Sequence, residues 1–187
     1  MKLKATTNVR QYIRTVSANN KRRIQKATVI ANQRAAKMAA TQIKSYIADT
    51  YSIKKSVMTK KLKVYNGNYA NPKAKLKGED KGLSLEYFNI RPRKVPNQKG
   101  IRVDKRKPVS AEVKRGERKV IQGAFLLFVG GTVKVFKRLD KAGKKIKKLL
   151  GPGIALLLGM EKSYEVIKQT VQKNYDKLYK DAFNNAK

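Results

Sequence analysis

The side chains in this sequence best placed to do chemistry are cations. The run from Arg91 to Pro108, RPRKVPNQKGIRVDKRKP, carries Arg91, Arg93, Lys94, Lys99, Arg102, Lys105, Arg106 and Lys107 against a single acid, Asp104. A second run, KAGKKIKKLL, brings Lys141, Lys144, Lys145, Lys147 and Lys148 together. Ammonium and guanidinium groups at this density grip phosphate oxygens, and each phosphate neutralised releases a counterion. These two runs are therefore the candidate contacts with DNA or with an acidic partner. A third group, Lys54, Lys55, Lys60, Lys61 and Lys63, surrounds the apolar residues Ile53, Val57, Met58, Leu62 and Val64. It fits docking on a phosphate backbone and a solvated face equally well.

Other chemistries find few residues to carry them. The chain has no cysteine and no histidine, which removes disulfides, thiolate metal sites and imidazole-based catalysis. Glu79-Asp80 is the only adjacent pair of acids, and it sits in a turn. Gly78 and Gly82 lack the Gly-Lys-Ser/Thr of a phosphate loop, and Gly151-Pro152-Gly153 contains a proline that offers no N–H. The expectation is a protein that is not an enzyme and holds no cofactor or metal. The 46 basic residues exceed the 12 acidic ones by 34 in a chain of 187. A free domain with that excess repels itself, whereas small soluble domains ordinarily carry a net charge of about 2 to 8. A polyanion or a strongly acidic protein surface is the expected neighbour.

The elements that must position these charges read as one α+β domain over residues 1–187. N-terminal helices fill 1–65, a β-sheet core spans 83–140 with the basic arm 91–107, and a C-terminal helix occupies 160–187. Ser17 to Tyr51 contains no Gly or Pro, and Ile24, Ala27, Ala31, Ala35, Met38, Gln42 and Tyr46 recur at helical spacing. Ser52 is the expected N-cap of a shorter second helix. Asn66 to Gly82 reads as a loop. Leu83, Leu85 and Tyr87 alternate with polar residues as in a half-buried strand. Arg115-Gly116-Glu117 between apolar runs predicts one hairpin. In QGAFLLFVGG, Gln122 to Gly131, the apolar run predicts a central strand buried on both faces, and Gly130-Gly131 predicts a tight turn into Thr132–Phe136. Ile154 to Leu158 is apolar but far short of the roughly 18 residues that span a bilayer. Tyr164, Ile167, Val171, Tyr175, Leu178 and Ala182 stripe the last helix, Met160 to Phe183. The basic start, Met1 to Lys4, is followed by Ala5-Thr6-Thr7-Asn8 where a signal peptide has an apolar run, so an intracellular product is expected.

The order of these segments resembles the minor tail protein Z family of tailed phages. That family's pattern runs from a Pro-Gly-Ala-Phe strand to a Val-Phe-Arg-Arg segment and then to a Leu-Pro-Ile-Arg-Glu-Leu-Tyr-Gly-Pro-Ser segment. Here Gly123-Ala124-Phe125, Val135-Phe136-Lys137-Arg138 and Gly151-Pro152 match in order and spacing. Gln122 stands where the family has proline, Lys145 where it has a second proline, and Gly153 where it has serine. The resemblance implies a structural protein that completes the tail at its head-proximal end and helps join tail to head. It implies a homo-oligomeric ring, a hexamer if it follows the sixfold tail symmetry. The implied neighbours are the tail terminator, the tail tube and the head–tail connector, with genome DNA in the lumen and no membrane. The implied location is the virion, reached from the host cytoplasm. Gly123, Ala124, Phe125, Phe136, Arg138, Gly151 and Pro152 would then form the fold, with Phe125 and Phe136 in the sheet core and Gly151-Pro152 at a chain reversal. The rival reading from composition alone is a general nucleic-acid-binding protein of ribosomal or chromatin-like kind. A basic membrane-active module fits less well, because the alanine-rich first helix lacks a fully apolar face.

Overall fold

A computed structural model describes residues 21–79, 81–92, 108–140 and 145–186. The architecture is α+β, with antiparallel strands between a long N-terminal and a long C-terminal helix. The first helix, α1, runs Lys21–Thr50 and the last, α4, runs Glu161–Asn184. They pack side by side along their lengths. Arg23 at the start of α1 donates through Nε to the Phe183 carbonyl (3.1 Å), while Tyr51, just past its end, donates to Met160 Sδ (3.0 Å). The two helices are therefore antiparallel. Alanines make the close approach possible: Ala27, Ala31 and Ala35 are buried against Tyr175 and Ala182 in a small core of their own.

The stripe read from α1 holds for its first half and then shifts. Ile24, Ala27, Ala31 and Ala35 are buried, but Met38 and Gln42 are exposed, and Ala39, Ala40, Ile43 and Ile47 take their place. The second half of α1 faces a different neighbour, the main core under the strands, so the buried face rotates. On α4, Ile167, Tyr175 and Ala182 are buried as expected, while Tyr164 is exposed.

Between the long helices the chain forms small antiparallel sheets in place of one continuous sheet over Leu83–Arg138. Helix α2 (Lys55–Lys61) begins two residues later than expected. Lys54 holds its N-cap position without a side-chain bond, and the Ser52 hydroxyl donates instead to Glu112. Strand β1 (Leu62–Tyr65) follows at once and pairs with β2 (Lys75–Gly78) inside the segment read as loop. The strand expected through Tyr87 is only β3 (Leu83–Ser84), because Leu85–Tyr87 closes into a single 3-10 turn. β4 (Asn89–Arg91), β5 (Ser110–Lys114) and β6 (Glu117–Val120) form a three-stranded sheet, and the β5–β6 hairpin turns at Gly116 with φ +78°.

β7 (Ala124–Val129), β8 (Thr132–Arg138) and β9 (Ile146–Lys148) form another. The β7–β8 turn is the two-residue Gly130-Gly131, with φ +60° and +75°, the conformation that a tight hairpin needs. The QGAFLLFVGG strand is not central. β8 lies between β7 and β9, so β7 is an edge. Only Leu126 on it is buried, while Phe128 and Val129 are exposed. β10 (Leu150–Gly151) pairs with β3, and α3 (Ile154–Gly159) then buries Ile154, Leu157 and Leu158. The main core joins Ile43, Ile47, Met58, Leu62, Leu76, Phe88, Leu126, Val135, Leu157 and Ile167 from every layer.

Candidate polyanion-binding surface

Two short ladders carry opposed lysines. In β1 and β2 the inner face pairs Leu62 with Gly78 and Val64 with Leu76, and the outer face pairs Lys63 with Lys77 and Tyr65 with Lys75. Burial follows the two-residue period of a strand, with Leu62 and Leu76 buried and Lys63, Tyr65, Lys75 and Lys77 exposed. In β8 and β9, Lys137 faces Lys147, and both are exposed. Like charges directly opposed across an antiparallel pair are destabilising, so both ladders hold cations together against their repulsion.

The first ladder is part of a concave site. Lys60, Lys61, Lys63, Tyr65, Lys77, Gly78 and Glu79 line a cleft of about 320 Å³. Lys60 and Lys61 come from the last turn of α2, where the helix dipole favours cations. Backbone bonds fix the walls: the Glu79 N–H donates to the Lys61 carbonyl (3.1 Å) and the Ala155 N–H to the Glu79 carbonyl (3.2 Å). Gly78 is needed where β2 meets α3, because a Cβ there would stand 2.7 Å from the Ala155 nitrogen. The loop between β1 and β2 is held to α1, where Asn32 Nδ2 donates to the Pro72 carbonyl (2.7 Å). Glu79 pairs with Lys61, and its hydrogen bond holds that ammonium above the usual lysine range. Among the described residues no carboxylate pairs with Lys60, Lys63 or Lys77.

Of the cations read from the sequence, Lys60, Lys61 and Lys63 of the third group line this cleft. Arg91 ends β4 and is exposed. Arg93, Lys94, Lys99, Arg102, Lys105, Arg106, Lys141 and Lys144 lie outside the described residues. Lys145 and Lys147 are exposed, and Lys148 lies 3.9 Å from Glu86. Lys77 joins Lys60, Lys61 and Lys63 in the cleft from β2, inside the segment Asn66 to Gly82 that the sequence reads as a loop. The available signal was the alternation of Lys75-Leu76-Lys77-Gly78, a period of two with one apolar residue.

The motif residues come together. Phe125 and Phe136 are cross-strand partners with ring centroids 6.2 Å apart, and the Arg138 guanidinium lies 5.1 Å from the Phe125 ring centre. Both rings are half-buried, at the margin of the core and not inside it. Gly123 has φ +70°. Gly151 ends β10 and lies against Phe88, whose Cε2 would stand 2.5 Å from an added Cβ. Pro152 and Gly153 then lead into α3, with Gly153 as its N-cap.

Glu112 organises the neighbouring sheet. Its carboxylate accepts bonds from the Gly116 N–H, the Ser52 hydroxyl, Asn89 Nδ2 and Arg118 Nη2. The Gly116 amide first, then Ser52, Asn89 and the Arg118 charge, hold this carboxyl below the usual glutamate range. Among the described residues no cluster of His, Cys, Asp or Glu is arranged to hold a metal ion, and no helix is long and apolar enough to cross a membrane. No family model, curated protein or solved structure matches the chain.

Proposed function

We propose that this chain is a structural protein of a tailed-phage particle. It completes the head-proximal end of the tail and helps join it to the head as a homo-oligomeric ring, without enzymatic activity. Its neighbours are the tail tube, the tail terminator and the head–tail connector, with genome DNA in the lumen. The observation that carries this reading is the convergence of the ordered motifs. Phe125, Phe136 and Arg138, on the two strands of the β7–β8 hairpin, form one stacked unit, and the Gly151-Pro152 segment links that sheet to α3. The charge supports it as well. The +34 excess already counts every acid, so the five ion pairs among the described residues offset none of it, and a ring multiplies that excess by its copy number.

The lysine ladders also favour a second reading, a general nucleic-acid-binding protein. One experiment separates the two: co-expression of the chain with the proteins encoded beside it, nuclease treatment, size-exclusion chromatography and electron microscopy. Recovery in ring-shaped complexes with tail proteins is expected. Recovery only with ribosomes or bulk nucleic acid, lost on nuclease treatment, would overturn the tail assignment.

A further inference from the structure

We propose that the cleft between the end of α2 and the β1–β2 hairpin binds the phosphodiester backbone of DNA, without regard to sequence. Lys60, Lys63 and Lys77 form the grip, and the Lys61–Glu79 pair guards it. The proposal rests on the reading above only in taking the genome as the polyanion nearby.

Three observations converge on this cleft. The first is energetic. Lys63 and Lys77 are held directly opposite one another on a two-stranded sheet, and a ladder of that size has little stability to spare. A phosphate between the two ammonium groups turns that repulsion into attraction. The second is shape. The cleft's walls are tied to the core through the backbone bonds at Lys61, Glu79 and Ala155, so the lysines are carried on a fixed frame. At about 320 Å³ the cleft has room for a phosphate and its flanking sugar atoms, being near the lower bound of about 300 Å³ for ligand pockets.

The third is the choice of cation. Among the described residues the cations lining the cleft are lysines, with no arginine. Ammonium groups are compact point charges and lack the planar fork that reads a base edge, so they position a backbone without reading it. Tyr65 adds a hydroxyl donor of the kind that contacts phosphate. Among the described residues Glu79 is the one acid in the lining. It occupies Lys61, and an arriving phosphate must compete with it, so Glu79 limits the affinity.

The test is fluorescence anisotropy of short labelled duplexes of two base compositions, titrated with the full chain across a salt series. Wild type is compared with K63A/K77A, E79Q and K137A/K147A. The last removes the same charge from the other opposed, exposed pair. K63A/K77A should lower the slope of log affinity against log salt by about 1.8, so that raising salt from about 50 to 200 mM costs it about twelvefold less affinity than wild type. K137A/K147A should change the slope by less than half as much. E79Q should tighten binding, by up to about fivefold, the range of one exposed ion pair. Both duplexes should bind alike. Equal slope changes in the two double variants would overturn the cleft as the site, and a clear preference for one duplex would overturn backbone recognition. Failure of wild type to bind either duplex at low salt would overturn DNA as the ligand. The tail assignment would still stand or fall on co-purification with tail proteins.

Discussion

Replacing Gly78 by alanine tests the frame that carries the cleft. The new Cβ would stand 2.7 Å from the Ala155 nitrogen, 2.8 Å from the Ile154 carbonyl carbon and 2.9 Å from Ile154 Cγ2. Two of these are backbone atoms at the start of α3, which cannot swing aside as a side chain does. To restore a contact of about 3.5 Å, β2 or α3 must move by about 0.8 Å. Overpacking of this kind costs about 1–3 kcal/mol. The substitution also narrows the unfolded ensemble, which returns about 0.4–1 kcal/mol. The expected net loss is about 1–2 kcal/mol, read as a fall of about 2–8 °C in the thermal midpoint for a chain of this length. Because the displaced strand leads directly to Glu79 and its two backbone bonds, DNA affinity should weaken in the same variant. Gly159→Ala is the control. Nothing lies within 4 Å of its Cβ, so only the unfolded-state gain of about 0.4–1 kcal/mol remains. Calorimetry of both variants gives the answer. A Gly78→Ala midpoint at or above wild type would refute close packing of β2 on α3.

Two further outcomes follow from the same geometry. Because the folded state holds Glu112 below the usual glutamate range of about 4.3, it binds fewer protons there than the unfolded chain does. The stabilisation is thus complete above that pH and is lost as pH falls towards the folded value. E112Q should melt below wild type at neutral pH and show a shallower decline between about pH 5 and 3, and parallel melting curves would refute the role assigned to the carboxylate. Ile43→Ala removes a side chain with no exposure at the centre of the main core, and denaturant unfolding should show a loss of about 2–5 kcal/mol.

The sequence by itself determined the elements whose cause is local. The uninterrupted run before Tyr51 dictates a helix, and Gly116 and Gly130-Gly131 dictate turns, since glycine takes positive φ without a steric penalty. It also set the charge excess and the absence of thiol and imidazole chemistry. What only the tertiary structure decided is which faces meet. β7 is an edge because β9, reached after the β8 strand and the chain that follows it, takes the other side of β8. Met38 is exposed because α1 passes from one core to another along its length. The lysine cleft exists because Lys75-Leu76-Lys77-Gly78, too short and too charged to declare itself a strand, gains its hydrogen bonds from β1 and its footing from α3. Pairing between distant segments is set by the surface each one buries, and a linear pattern does not carry that information.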